Sequence, residues 1–128
     1  MCRGYFSATD VERVHEFLIA ELGRYDVRFQ RIYIAPEAPD QTSRGRKPSP
    51  EFLFDARDEF GLELAQSYVV GDKWIDLECG WNAGVRRSVL VRTGYGRELE
   101  REKANELQQA VIVDDLTAAA DWILADSR

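Results

Sequence analysis

The sequence has no apolar stretch approaching the length of a membrane span and no signal-peptide pattern at its start, so no spanning helix is expected. It has no basic run, and 23 acidic against 17 basic side chains leave a net charge of −6. That balance argues against nucleic acid or an anionic membrane as the main partner. Cysteine is scarce: Cys2 and Cys79 are too few for a disulfide framework or a cysteine-rich zinc site. The one histidine, His15, falls in a helical pattern and reads as an exposed or packed helix residue rather than a catalyst. There is no internal repeat and no low-complexity tract. What is present suits an ordinary globular protein, 45% hydrophobic and 31% charged. At 128 residues it has length for one domain and one core, and the cytoplasm is the default location.

The chain reads as alternating helices and strands. Thr9 and Glu12 have capping-box spacing, and Val11, Val14, Phe17, Leu18 and Leu22 then recur at helical intervals up to Gly23. Val27 to Ala35 is a strand candidate stopped by Pro36, and residues 36–49 have loop composition. Ser49-Pro50 opens a helix that runs to Phe60 and closes at Gly61. A short strand over Ser67 to Val70 ends in Gly71-Asp72, and a helix from about Trp74 to Ala83 stops at Gly84. A strand over Ser88 to Arg92, a polar helix over about Arg97 to Gln109, a strand over Ala110 to Val113 and a helix from Asp115 to about Ala125 complete the chain. This alternation implies βα units and a mostly parallel sheet.

Ligands of such sheets bind beyond the carboxyl ends of the strands. There the strand Ser67 to Val70 delivers Gly71-Asp72-Lys73, with Asp76 one turn later. Asp72 is placed either to hold a metal ion or to cap the following helix. The second candidate is Arg46-Lys47 before a helix start, where cations and free amides converge on an anion, although such a pair also suits a solvated loop. The basic residues are fourteen arginines and only three lysines, Lys47, Lys73 and Lys103. Two of the three lysines fall in these motifs, as expected where a compact point charge is needed instead of a planar fork.

Taken together, Arg46-Lys47-Pro48-Ser49-Pro50, Ser67-Tyr68-Val69-Val70-Gly71-Asp72-Lys73 with Asp76, Ala83-Gly84 and Leu90-Val91-Arg92-Thr93-Gly94-Tyr95-Gly96 resemble the haloacid dehalogenase (HAD) superfamily. The resemblance is to its branch of heptose-1,7-bisphosphate 7-phosphatases and histidinol-phosphate phosphatases. The tail Val113-Asp114-Asp115-Leu116 with Ala118 to Leu124, and the opening Arg3-Gly4-Tyr5-Phe6, are similar to that branch too. The resemblance implies an α/β, HAD-like (Rossmannoid) parallel sheet flanked by helices, and a magnesium-dependent hydrolysis of a phosphorylated sugar or similar small phosphomonoester. Heptose phosphate is the expected substrate, on the Lys73 pattern and the Thr93-Gly94-Tyr95-Gly96 ending. The resemblance assigns Lys47 to the transferring phosphoryl group, Arg46 and Lys73 to substrate, and Asp72 to magnesium. Asp76 supports the metal shell or caps the helix. These residue types suit a hard cation and a phosphoryl group in flight.

Two departures accompany the resemblance. Many members of the branch hold zinc just before the Arg-Lys-Pro motif; the corresponding positions here are Ala35, Glu37, Ser43 and Gly45, so no zinc is expected. The family's D-x-D-x-T motif, carrying the nucleophile and the general acid, and its second motif do not occur in the sequence. The chain reads as if about forty to fifty residues, a βαβ unit and a little more, preceded it, and so as the C-terminal portion of such a domain, its sheet incomplete at the N-terminus. The expected consequences are weak or absent magnesium binding, no catalysis by this chain alone, and open strand edges through which it could self-associate. Three readings follow: a piece of a sugar-phosphate phosphatase, a non-catalytic phosphate-binding or interaction module, or an enzyme completed in trans.

Overall fold

The computed structural model describes residues 7–37 and 40–128, so the opening Arg3-Gly4-Tyr5-Phe6 and Cys2 lie outside the described residues. Contacts divide the chain into two compact units, Met1–Arg46 and Lys47–Arg128. The first unit is built on α1 (Ala8–Gly23). Its capping box is Ser7 with Asp10, two residues before the expected Thr9 and Glu12: Ser7 Oγ accepts from the Asp10 amide (3.1 Å) and Asp10 Oδ2 from the Ser7 amide (3.0 Å). The helical spacing of apolar residues is present, yet no residue of α1 is buried, and Val14 and Phe17 are 64% and 68% exposed. Among the described residues no strand forms over 27–35: the segment joins no ladder with another described strand, and a strand exists only beside a hydrogen-bonding neighbour.

The second unit contains α2 (Glu51–Phe60), β1 (Tyr68–Gly71), α3 (Trp74–Ala83), β2 (Arg87–Val91), α4 (Gly96–Glu102), β3 (Val111–Val113) and α5 (Leu116–Asp126). The three strands form a parallel sheet in the order β1-β2-β3, flanked by helices. β2 is central because every second residue has a hydrophobic layer to enter. Leu90 packs in a cluster with Leu77, Leu99 and Leu107, while Val89 and Val91 pack with Ala119 of α5. Ser88, fully buried, satisfies its hydroxyl by donating to the Leu77 carbonyl (2.9 Å). Each fully buried Leu or Val contributes about 1.5–3 kcal/mol relative to exposure.

The helix expected over 97–109 ends at Glu102 and gives way to a 3-10 turn at Ala104–Glu106. Leu107 must reach the cluster around Leu90, and the chain must return to the sheet by Val111. A helix continued at 1.5 Å per residue would carry it away from both.

The last helix is pinned at its C-terminal end. Asp126 Oδ2 accepts from Arg86 Nε (2.7 Å) and from the Tyr68 hydroxyl (2.6 Å), joining α5 to β1 and to the turn before β2. Arg86, and then Tyr68, hold the Asp126 carboxyl below the usual aspartate range. A depressed carboxyl stabilises the fold above the ordinary value of about 3.9 and loses that contribution as pH falls through its folded value. An Asp126→Asn variant should therefore melt at a lower temperature than the parent at pH 7, with the gap closing as pH drops below about 4. A pH-independent gap in thermal melts would contradict this.

Candidate active site

The carboxyl edge of the sheet gathers the turns after all three strands: Asp72 follows β1, Arg92 follows β2, and Asp114 follows β3. Asp76, on the first turn of α3, is only 6% exposed and has both oxygens engaged. Oδ2 accepts from the amides of Asp72 and Lys73 (3.1 Å each), capping α3 and folding the turn over it. Oδ1 accepts from Lys47 Nζ in an ion pair. A side chain at Gly71 would overlap the Asp76 carboxyl, so the strand must end in glycine for this cap to close. Asp76 is thus the cap and the lysine's anchor. Asp72 does not cap α3.

Lys47 is held from several directions. The loop that carries it is fastened to α3 by Asn82 Nδ2 donating to the Pro48 carbonyl (3.1 Å) and the Cys79 thiol donating to the Ser49 carbonyl (3.3 Å). Burial pushes the Cys79 thiol up, which keeps it protonated as that donor. The Lys47 side chain stays 52% exposed. One of its three N–H groups goes to Asp76, leaving two to face a ligand.

Asp72 points the other way, toward the turn after β2. Its Oδ2 accepts from the Tyr95 amide (3.1 Å). Gly94 makes this possible: it has φ +61°, and a Cβ there would strike the Asp72 carboxylate. The same turn is braced by Arg92, which donates twice to Glu100 (2.9 and 3.1 Å) and once to Asp114 (2.7 Å). Lys73 lies beside Asp72 with its ammonium 4.8 Å from the centre of the Tyr95 ring. Tyr95 and Arg92 were not legible as site residues by spacing; the Thr93-Gly94-Tyr95-Gly96 turn at a strand end was the only signal.

The structure therefore brings Lys47, Asp72, Lys73 and Asp76 to one edge of the second unit. Arg46 belongs to the first unit, where its guanidinium donates to the Glu37 carbonyl (3.0 Å). In the same loop Ser43 Oγ donates to Glu37 Oε2 (2.9 Å), and Gly45 is buried. His15, half-buried on α1, lies in a cavity with Ile19, Phe29 and Ile32.

A family model for HAD-hydrolase-like proteins matches residues 45–119. The D-glycero-D-manno-heptose-1,7-bisphosphate 7-phosphatase of Chlorobaculum tepidum is 34% identical over 136 residues, covering 97% of this chain and 68% of that protein. The chain belongs to the HAD-like hydrolase family. The corresponding enzyme of Escherichia coli K12, D-glycero-beta-D-manno-heptose-1,7-bisphosphate 7-phosphatase, is also 34% identical, over 97% of this chain and 61% of its own. A crystal structure of the D,D-heptose 1,7-bisphosphate phosphatase of B. bronchiseptica, complexed with magnesium and phosphate, superposes with a TM-score of 0.89 at 27% identity, covering 98% of this chain and 69% of that one. The chain thus spans about two thirds of the length of the relatives it matches. The three-stranded parallel sheet with flanking helices is the HAD-like α/β fold expected from the sequence.

Whether these residues suit magnesium is a question of donors. The ion requires octahedral oxygen coordination and is bound through one or two carboxylates, water and substrate phosphate. Asp72 has one oxygen committed to Tyr95, and both oxygens of Asp76 are committed. Among the described residues no three His, Cys, Asp or Glu side chains gather at one point. Of these two carboxylates, Asp72 is the one that keeps an oxygen no described group uses.

An Asp76→Ala variant strands two backbone amides and the Lys47 ammonium at once. It should lose about 1–3 kcal/mol of stability in urea denaturation. An unchanged midpoint would show that the cap and anchor contribute nothing.

Proposed function

We propose that this chain carries the phosphate-holding half of a sugar-phosphate phosphomonoesterase of the heptose-bisphosphate type, and that it does not turn over alone. The observation that supports this best is Lys47, anchored on Asp76 with two N–H groups free at the carboxyl edge of the sheet. A compact ammonium in that position suits the equatorial oxygens of a phosphoryl group. Lys73 contacts the substrate in this reading, and Asp72 offers a metal a single oxygen. Magnesium binding is accordingly weak. No aspartate in the sequence stands in a D-x-D-x-T motif, so no aspartyl-phosphate forms on this chain by itself. Residues 1–128 read as the C-terminal portion of such a domain, working in the cytoplasm, where its low cysteine content is at home.

Titration of the purified chain with inorganic phosphate, followed by phosphorus NMR, should show binding that weakens about tenfold or more in Lys47→Met. Equal affinity in the two proteins would remove Lys47 from the role. Heptose 1,7-bisphosphate with magnesium should release no phosphate; turnover by the chain alone would refute its inactivity.

A second reading, self-association as an interaction module, is favoured by the sheet. Among the described residues β1 and β3 are its outer strands, and β1 (Tyr-Val-Val-Gly) has neither charge nor proline to blunt its edge. Sedimentation velocity should show a species that grows with concentration, whereas a monomer throughout would exclude pairing through this edge.

A further inference from the structure

Beside Asp72 the surface opens into a cavity of about 280 Å³, whose lining includes Asp72, Lys73, Trp74, Tyr95, Glu98 and Glu102. Its polar groups differ from the rest of this edge. Arg92 is paired with Glu100 and Asp114, and Lys47 with Asp76. Glu98 and Glu102, one turn apart on α4, make no side-chain hydrogen bond or ion pair among the described residues, and neither does the Tyr95 hydroxyl. The Tyr95 ring is 60% exposed, with the Lys73 ammonium above it.

We propose that this cavity receives the polyhydroxylated body of the phosphomonoester, with Glu98 and Glu102 as its specificity-determining residues. The proposal rests on the phosphate-holding role of the adjacent edge. Free carboxylates are acceptors only, so they select ligands rich in hydroxyl donors. An exposed aromatic ring with a polar tip covers the C–H face of such a ligand while keeping one end wet. Lys73 stands between Asp72 and Tyr95, so a phosphate oxygen and the first hydroxyls of the same molecule can share it. A volume of this size, just under the usual range for small-molecule pockets, is on the scale of one sugar. Two carboxylates would also repel a second phosphate placed there, so this cavity takes the hydroxylated portion and not an anionic end.

The test is a nitrogen–proton NMR titration of the full chain with inorganic phosphate and, separately, with mannose 6-phosphate. Both ligands should shift amides around Lys47 and Lys73, and only the sugar phosphate should add shifts at Tyr95, Glu98 and Glu102. In the double variant Glu98→Gln, Glu102→Gln, the ratio of affinities for sugar phosphate over phosphate should fall about tenfold. The ratio cancels the general gain in anion affinity from removing two negative charges. Both side chains are exposed, so the variant should remain folded, with the parent's amide dispersion as the check. An unchanged ratio, or sugar-phosphate shifts confined to the residues that phosphate alone perturbs, overturns the cavity assignment and leaves the phosphate edge standing. No shift from either ligand overturns the phosphate edge and this assignment with it.

Discussion

The carboxylate of Asp76 ties the site to the fold. It takes two amides from the turn after β1 and the ammonium of Lys47, so strand end, helix start and the loop before α2 meet on one buried side chain. Burying a carboxylate is costly unless it is paired and hydrogen-bonded, and here all three donors are supplied. The requirement spreads outward: β1 must end in a glycine, α3 must begin at Trp74, and the loop carrying Lys47 must be fastened along α3 through Pro48 and Ser49. The turn after β2 is held in parallel fashion, by Arg92 on Glu100 and Asp114, and presents the Tyr95 amide to Asp72.

That division separates two jobs that spacing alone left open. Asp72 and Asp76 are four residues apart, and either could have been the cap or the ligand. Burial decides which of them is the cap. Asp76, under the turn, satisfies backbone donors, while Asp72, half-buried above it, keeps an oxygen that no described group uses. The result is an edge that presents the Lys47 ammonium together with one free carboxylate oxygen, on Asp72.

Much of the second unit was legible beforehand because its signals are local. Pro50 and Gly61 bracket α2, Gly84 stops α3, and the apolar runs at 68–71, 87–91 and 111–113 are strands because each has a neighbour to pair with. The first unit was less legible for the same physical reason. Val27 to Ala35 has strand composition but joins no sheet among the described residues, and the apolar face of α1 contributes no buried residue. Propensity proposes such elements; only tertiary contact completes them. At the site, Lys47, Asp72 and Asp76 could be found from motif residues, whereas the Tyr95 amide and the Arg92 brace arise from a turn geometry that side-chain type does not encode.

The ion pair between Lys47 and Asp76 is where fold and function meet, and a double-mutant cycle addresses it directly. Lys47→Met, Asp76→Asn and the combined variant would be compared with the parent by urea denaturation. Two residues in direct contact should show a coupling energy of about 0.5 kcal/mol or more, with phosphate affinity lost in both single variants. Additive effects, together with phosphate binding that survives Asp76→Asn, would contradict the account.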